Sequence, residues 1–301
     1  MKTPSFFVAG LAVFATISFA GCASKTATIV AATPTATKPV PTPTPRVMPA
    51  ELRGQMMPGV WVLCYHRIVD KPVRYTNLQP AEFAQQMDYL ATHDFNVVPL
   101  VTIVDAMQYG TKLPQKTVAL TFDDGYKDNY TVAYPILKKH DFPATLFIYP
   151  QYISNGGAAL TWEQLKAMAA DPSISIQSHT YTHPDLGKVS RRGGADAKLK
   201  HEIVDSKNTL EQKLGIKIDT LAYPYGVFNP KVLQLTKAAG YRTAFTIGTR
   251  PIPYIGEKST DMWTVPRIMV NRGDSLALWA SRMNTPTPKK KKTSPAKKQK
   301  V

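Results

Sequence analysis

The segment "VALTFDDGYKDN", residues 118–129, decides the fold class of this chain. Residues that suit a buried strand run directly into two adjacent carboxylates, Asp123 and Asp124, and then into a glycine. Ionised carboxylates at the end of a buried strand are costly unless a cation, a hydrogen bond or a reaction uses them. The segment therefore predicts a buried strand with a polar site at its carboxyl end.

Short apolar or β-branched runs recur along the chain and alternate with helical patterns. The predicted strands are "VWVLCY", "FNVVPL", "TVALTF", "ATLFIY", "SISIQS", "TLAY", "RTAFTI" and "TVPRIMV". Strands that alternate with helices predict parallel β/α units. Seven or eight such strands would close a barrel, and the chemistry of such barrels lies at the carboxyl ends of the strands. The sequence therefore predicts an α/β barrel whose site includes the two aspartates.

Three predicted helices have recognisable ends. "TWEQLKAMAA" begins with the capping-box pair Thr161 and Gln164, and "NPKVLQLTKAAG" has Asn-Pro at its start and a glycine at its end. The segment "ADAKLKHEIVDSKNTLEQKLG" is long and amphipathic, and it ends at a glycine. These signals support the alternation of strands and helices.

Two histidines follow another predicted strand. "SISIQSHTYTHPDL" contains His179 and His183, and the Thr, Tyr and Pro residues beside them favour a curled loop over a helix. Two imidazoles at this spacing can reach one ion. With one carboxylate they form a three-ligand set with open positions, which is the arrangement that catalytic zinc prefers. Zn²⁺ is therefore the favoured ion, with Co²⁺ and Ni²⁺ as alternatives.

Two further strand ends carry polar groups. "WVLCYHRI" ends its apolar run at His66, and "TLAYPYG" ends in a turn that directs a backbone N–H and a tyrosine ring above the barrel. Taken alone, His66 is equally typical of a partly buried structural histidine, and the "TLAYPYG" turn is equally typical of an ordinary loop. Their position after strands in a β/α pattern is what points to a shared site.

Together, "TFDDG", "SHTYTH" and "YPYG" resemble the first three motifs of the NodB-homology polysaccharide deacetylases, carbohydrate esterase family 4. The resemblance covers roughly residues 60–270 and implies a distorted (β/α)7 barrel in a single catalytic domain. It implies that Asp123 is the general base and that the backbone N–H of Tyr225 helps to hold the oxyanion. The implied ligands of a divalent metal are Asp124, His179 and His183.

The chain departs from that family pattern at two points. Ala222 stands where the third motif usually has an arginine that steadies the catalytic aspartate, and we hypothesise that Arg267 in "TVPRI" replaces it. The usual Leu-x-His motif is missing after residue 270, whereas "LCYH" is similar to the relocated motif of poly-β-1,6-N-acetylglucosamine deacetylases. That similarity implies a circularly permuted core, His66 as the general acid, and poly-β-1,6-N-acetylglucosamine as a substrate favoured over chitin or peptidoglycan.

Aromatic residues near these motifs are candidates for sugar stacking. Tyr149, Tyr152 and Trp162 lie in "YPQYISNGGAALTW", and aromatic faces stack on the apolar C–H surfaces of sugar rings. Core packing is the favoured alternative for Trp162, because it begins an amphipathic helix.

Three other functions compete with N-deacetylation of a polysaccharide. A non-catalytic glycan-binding lipoprotein would be expected to lack some of the catalytic and metal-binding residues, but the candidate base, metal ligands and acid are all present. A non-haem iron oxygenase also uses two histidines and a carboxylate, but the double aspartate and the β/α pattern speak against it. The net charge of +16 suggests nucleic acid, but seven lysines lie in residues 285–301, so no specific nucleic-acid partner is expected.

The N-terminal sequence predicts that the protein is exported and attached to a membrane. Residues 1–21 have the form of a signal peptide, and "FAGC" resembles the lipobox of bacterial lipoproteins, in which Cys22 becomes lipidated. We therefore expect an exported lipoprotein on the cell surface or facing the periplasm, sorted to the outer membrane if the host is Gram-negative. Lipidation would leave Cys64 without a disulfide partner, and its apolar neighbours predict a buried thiol.

The remaining segments set the domain limits. Residues 22–57 are rich in Ala, Thr and Pro and predict an extended tether, and residues 58–284 form the predicted deacetylase domain. Residues 285–301 form a Lys-rich tail that is predicted to be disordered. The tail is either a solvated end or an attachment to an anionic surface such as lipid headgroups or wall polymers.

Overall fold

A computed structural model of the protein describes residues 60–248, 252 and 261–283. The predicted signal peptide, tether and lysine tail, together with Cys22, lie outside the described residues. Over the described part of the chain, every helix is too short or too polar to cross a membrane. The described residues form a single domain, and its predicted limits at residues 58 and 284 stay predictions.

Within the described residues, strands and helices alternate over most of the chain, and the elements are as follows. The strands β1 to β10 are Val60–Tyr65, Arg67–Ile68, Asn77–Leu78, Asn96–Val97, Thr117–Asp123, Ala144–Ile148, Ile174–Ser178, Thr220–Ala222, Thr243–Gly248 and Val265–Met269. The helices α1 to α9 are Pro80–Thr92, Leu100–Tyr109, Tyr134–Lys139, Trp162–Ala169, Leu186–Val189, Ala195–Lys200, Ser206–Leu214, Pro230–Ala238 and Leu276–Met283. Two π-helical turns cover Asn129–Ala133 and His201–Asp205, and two 3₁₀ turns cover Pro150–Tyr152 and Pro224–Gly226.

Seven parallel strands close into a barrel. The order β1-β10-β9-β8-β7-β6-β5 is completed by the pairing of β1 with β5 over six residues. The predicted (β/α)7 barrel is therefore confirmed. The first barrel strand in the sequence lies between the last one and β5. Every closed barrel of consecutive strands has this order, so the predicted circular permutation stays a prediction.

One of the eight predicted strands does not enter the barrel. In "FNVVPL" only Asn96 and Val97 pair, with the first two residues of β5, and helix α2 begins at Leu100. The side of β5 that β4 contacts is taken over by β6 from Leu120 onward. Strand β4 is therefore a short extension at the amino end of the barrel, and the prediction of a full strand there was wrong.

The buried apolar residues form two clusters, one inside the barrel and one between the barrel and the surrounding helices. Side chains alternate along a strand, so Val60 and Val62 of β1 pack inside with Phe147 and Phe245, whereas Trp61 and Leu63 pack outside. Apolar residues of α2 join the interior cluster. The interior at that level is thus filled by packed side chains.

The predicted helix ends are confirmed. Thr161 and Gln164 form the reciprocal capping box of α4, and Asn229 accepts a hydrogen bond from the backbone N–H of Val232 at the start of α8. The long helix predicted after residue 194 ends as expected at Gly215, which has a left-handed φ of 67°. A π-helical turn interrupts it and separates α6 from α7.

Candidate active site

Strand alternation directs one layer of polar side chains into the upper barrel. On β5, Thr121 and Asp123 point to the same face as the interior residue Ala119, because side chains two residues apart share a face. By the same rule Cys64 follows Val62 on β1, and Arg267 follows Val265 on β10. Hydrogen bonds join these side chains, so the barrel contains a polar layer directly below its carboxyl rim.

Asp123 and Arg267 form a bidentate ion pair in this layer. The two guanidinium nitrogens lie 2.6 Å and 2.7 Å from the two carboxylate oxygens, and both residues are almost fully buried. Burial is the strongest influence and raises the pKa of Asp123, but the charge and hydrogen bonds of Arg267, together with His179 and His66, hold that pKa well below its usual value. Burial also raises the pKa of Cys64, so its thiol remains protonated and donates to Asp123 Oδ2 at 3.3 Å.

The turn after β5 brings Asp124 to the two histidines. Asp124 and Gly125 both have left-handed φ values, 76° and 80°, and a Cβ at Gly125 would lie 2.9 Å from Cδ1 of Ile153. Only glycine fits the second position without displacing a neighbour. The turn leaves Asp124 Oδ1 at 3.3 Å from Nε2 of His183 and 3.7 Å from Nε2 of His179. The three predicted metal ligands are therefore together.

The histidines are neutral in this setting. Burial lowers the pKa of His179 to about 3, and it lowers the pKa of His183 as well. The short distances to Asp124 are therefore close approaches and not ion pairs. The ring of His179 is held by its Nδ1–H, which donates to the carbonyl of Ala222 at 2.7 Å. That bond leaves Nε2 unprotonated and able to bind a cation.

The donor set fits a divalent cation. Asp124 Oδ1 is buried and has no hydrogen-bond partner among the described residues, although a buried carboxylate oxygen is costly when unpaired. Burial raises the pKa of Asp124 to about 6, which shows how poorly its charge is compensated by the protein alone. The ligand atoms of Asp124, His179 and His183 all lie within 4.8 Å of one another. One cation can contact all three ligand atoms at once.

A cavity of about 580 Å³ opens above this cluster. His66, Tyr149, Tyr152 and Tyr225 line it together with the aspartates and both histidines. The predicted acid, the predicted oxyanion residue and two of the three predicted sugar contacts thus face the same space. Tyr225 has a left-handed φ of 59°, and its ring lies edge-on to His183 at 4.8 Å. Trp162 is not among the lining residues. It packs against the core beneath Lys213, as expected from the packing alternative.

Sequence reasoning missed several residues of this site. Tyr126 lines the cavity and follows the DDG turn directly, so its position in the chain was a usable signal. Arg74, Tyr75 and Thr76 also line it, but they lie on the loop between β2 and β3, which no motif marked. Cys64 was expected to be buried, but its hydrogen bond to Asp123 was not foreseen. The structure brings these residues together, whereas the roles assigned to the site residues stay predictions.

Comparisons with known proteins agree with this geometry. A family model described as polysaccharide deacetylase matches residues 110–244. A poly-β-1,6-N-acetyl-D-glucosamine N-deacetylase of Staphylococcus aureus is 26% identical over 208 residues, which cover 67% of this chain and 70% of that protein. The structure of IcaB from Ammonifex degensii is 30% identical, covers 75% of this chain and 97% of that one, and has a TM-score of 0.66.

A second solved structure of a deacetylase is also similar to this chain. The deacetylase PplD of Streptococcus pyogenes, in complex with acetate, is 27% identical with a TM-score of 0.67, and the match covers 77% of this chain and all of that one. The family-model match includes all three motifs, and the TM-scores of the two solved structures show that they share the fold of this chain. The chain therefore belongs to the polysaccharide deacetylase family.

Proposed function

We propose that this polysaccharide deacetylase uses a divalent cation to hydrolyse the N-acetyl groups of an N-acetylglucosamine polysaccharide, with poly-β-1,6-N-acetylglucosamine as the favoured substrate. The observation that carries the proposal is that the two adjacent aspartates have different partners. Asp124 approaches both histidines, whereas both oxygens of Asp123 are bonded to Arg267, and Asp123 Oδ2 lies beside the ligand atoms, 3.6 Å from Nε2 of His179. One carboxylate is thus free to handle a proton beside the site where the other binds a cation.

Asp124, His179 and His183 would hold the cation, and Zn²⁺ is favoured because two neutral imidazoles and one carboxylate leave open positions. When bound, such a cation polarises the amide carbonyl and makes a water molecule easier to deprotonate. The chain itself supplies the donor atoms and their protonation states. The hydrogen bond from His179 to Ala222 fixes the tautomer that binds through Nε2.

Hydrolysis of an amide requires one proton to be removed from water and another to be given to the departing amine. Asp123 lies at the cavity wall and would take the first proton, and Arg267 keeps it ionised and oriented. His66 follows β1 directly, is half-buried and lines the same cavity. It would give the second proton, since a positioned histidine is the most frequent side-chain proton donor in general acid–base catalysis. The products are acetate and a free amine.

The tetrahedral intermediate needs hydrogen-bond donors for its oxyanion. The backbone N–H of Tyr225 would be one such donor, a contribution of about 3 kcal/mol where one donor has been removed from other enzymes. The left-handed φ of Tyr225 and its position on the cavity wall support this assignment. Tyr149 stacks on Tyr152 with ring centroids 5.3 Å apart, and both rings are available to contact a sugar face.

A polymeric substrate is supported by the space beside the site. A second cavity of about 660 Å³ shares Arg74, Tyr126 and Tyr152 with the first one, so the sugar next to the reacting unit has room to bind. The preference for poly-β-1,6-N-acetylglucosamine is supported by the names of the Staphylococcus aureus relatives and by the position of His66 at the front of the domain. Peptidoglycan and chitin remain the alternative substrates.

Acetate release from a panel of polymers tests the proposal. The purified protein is incubated with poly-β-1,6-N-acetylglucosamine, chitin oligomers and peptidoglycan, with a chelator and after addition of Zn²⁺, Co²⁺ or Ni²⁺. We expect release from the first polymer, loss with the chelator, and recovery with metal. Release from another polymer would redirect the substrate assignment. Release from none of them, in the presence of bound metal, would favour the non-catalytic glycan-binding alternative.

We also propose that the protein is an exported lipoprotein held at the cell envelope through Cys22. The proposal is supported by the signal-like residues 1–21 and by the "FAGC" sequence before the tether. Metabolic labelling with a fatty acid should mark the wild-type protein and not Cys22→Ser. Deletion of residues 285–301, followed by binding to anionic vesicles or wall polymers, tests whether the lysine tail adds an electrostatic attachment.

A further inference from the structure

The loop that holds both histidines has a backbone that needs external support. Thr180 and His183 both have left-handed φ values, 67° and 61°, although neither is glycine. A β-branched residue in this region is an outlier, and it persists only where surrounding contacts fix it. The direction of the His183 ring depends on this backbone. The contacts that hold residues 180–183 are therefore part of the metal site.

A single buried carboxylate makes three hydrogen bonds to this loop. Glu202 Oε2 accepts hydrogen bonds from the backbone N–H groups of Tyr181 at 2.9 Å and Thr182 at 2.8 Å, and its Oε1 accepts from the Thr182 hydroxyl at 2.6 Å. Glu202 is only 6% exposed, and within the described ranges no lysine, arginine or histidine makes an ion pair with it. Its charge is thus compensated by the loop that it holds.

Helix geometry brings this carboxylate to the loop. Glu202 belongs to the π-helical turn His201–Asp205 that interrupts the long helix between α6 and α7. Ser206, the first residue of α7, donates to the carbonyl of Thr180 at 2.8 Å and contacts the Ser178 hydroxyl at the same distance. The interrupted helix therefore contacts the end of β7 and the histidine loop at several points. Single π-helical turns are frequent at functional sites.

We propose that Glu202 is a positioning residue for the cation site, which acts by fixing the loop that carries His179 and His183. The proposal rests on the proposed function, because it assumes that these histidines bind a cation. A carboxylate fits the position since it only accepts hydrogen bonds, and it faces two N–H groups and one hydroxyl. Glutamine in its place loses the negative charge that strengthens all three bonds, and an NH₂ group turned toward the two backbone N–H groups would break both of those bonds.

Metal affinity tests the proposal without relying on activity. The dissociation constants of Zn²⁺ and Co²⁺ are measured by competition with a chromogenic chelator, and the absorption spectrum of bound Co²⁺ reports the ligand geometry. Removal of a residue that orients metal ligands weakens binding by about 10–100-fold. We expect a loss of this size for Glu202→Gln, with an altered Co²⁺ spectrum.

A matched control is available on the same helix. Glu211 on α7 accepts a hydrogen bond from the backbone N–H of Ile218 at 3.0 Å, so it also supports a loop, but it contacts neither histidine nor the loop between them. Glu211→Gln should lower the thermal midpoint and leave the dissociation constants within about twofold of wild type. If Glu202→Gln does the same, a merely structural role is shown and the proposal is overturned.

A milder variant covers the case in which Glu202→Gln fails to fold. Thr182→Val removes the hydroxyl bond to Glu202 and leaves both backbone bonds in place. It should weaken metal binding by several-fold, and unchanged affinity in a folded Thr182→Val protein would contradict the proposal. If the wild-type protein itself binds neither ion, the proposed metal-dependent function fails first, so the two failures are distinguishable.

Discussion

Replacement of Arg267 by methionine removes the cation from a fully buried ion pair. Arg267 is 0% exposed and Asp123 is 2% exposed, and the two bonds between them, of 2.6 Å and 2.7 Å, are lost together. Breaking a buried pair by removing one partner costs about 3–5 kcal/mol, because the other charge remains uncompensated. At about 2–4 °C per kcal/mol for a domain of this size, we expect the thermal midpoint to fall by roughly 6–20 °C.

The same variant should lose turnover for a separate reason. Burial raises the pKa of Asp123 and Arg267 lowers it, so without Arg267 that pKa rises and the carboxylate is protonated over a wider pH range. Loss of a general base typically lowers turnover about 10²–10⁴-fold. We expect a loss in this range at neutral pH with partial recovery at higher pH. Metal content should not change, because Arg267 bonds to none of the three ligands.

Two comparisons make the Arg267 prediction specific. In Asp123→Asn/Arg267→Met both charges are removed, so the double variant should be more stable than Arg267→Met alone. Arg242→Met removes a partly exposed cation from Asp105 and Asp219, where solvent screens the charges, so it should cost less stability than Arg267→Met and keep wild-type turnover. Wild-type turnover in Arg267→Met, or a thermal midpoint that matches Arg242→Met, would refute the reasoning. Both stability and acetate release are measured on metal-loaded protein.

Three further predictions concern the other site residues. Asp123→Asn should keep its metal and lose turnover about 10²–10⁴-fold, whereas His179→Ala should lose both metal and turnover. Metal analysis and acetate release measure the two effects. Full metal content and activity in His179→Ala would disprove the ligand assignment. Because the pKa of Asp124 is about 6 without metal, a cation must displace a proton below that pH. Zn²⁺ affinity should therefore fall up to about tenfold per pH unit below 6 in competition titrations, and an affinity equal at pH 5 and pH 7 would contradict this. Tyr149→Ala should raise KM for polysaccharide oligomers with little change in kcat, because Tyr149 lines the cavity. Trp162 lies outside the cavity, so Trp162→Ala should leave KM unchanged. Equal effects of the two substitutions on KM would argue against sugar stacking by Tyr149.

Local signals predicted most of the elements and the position of the site. The period of the apolar residues and the capping residues depend on neighbours a few positions away, so strands such as "TVALTF" and the start of α4 at Trp162 were found without a structure. The short "FNVVPL" run shows the limit of this reasoning. Its composition suits a strand, but β6 occupies the edge of β5 that it would need, so only two residues pair.

The sequence by itself determined the β/α alternation, the polar groups at the strand ends, and the gathering of Asp123, Asp124 and the histidine pair at one rim. Only the tertiary structure decided which distant groups complete the site. Arg267 was hypothesised to steady the aspartate, but its bidentate geometry across 144 positions of sequence came from the structure, and no sequence signal pointed to Glu202, which reaches Thr182 from a π-helical turn. Such contacts depend on barrel register and on where a helix is interrupted, and side-chain patterns within single elements do not encode these positions.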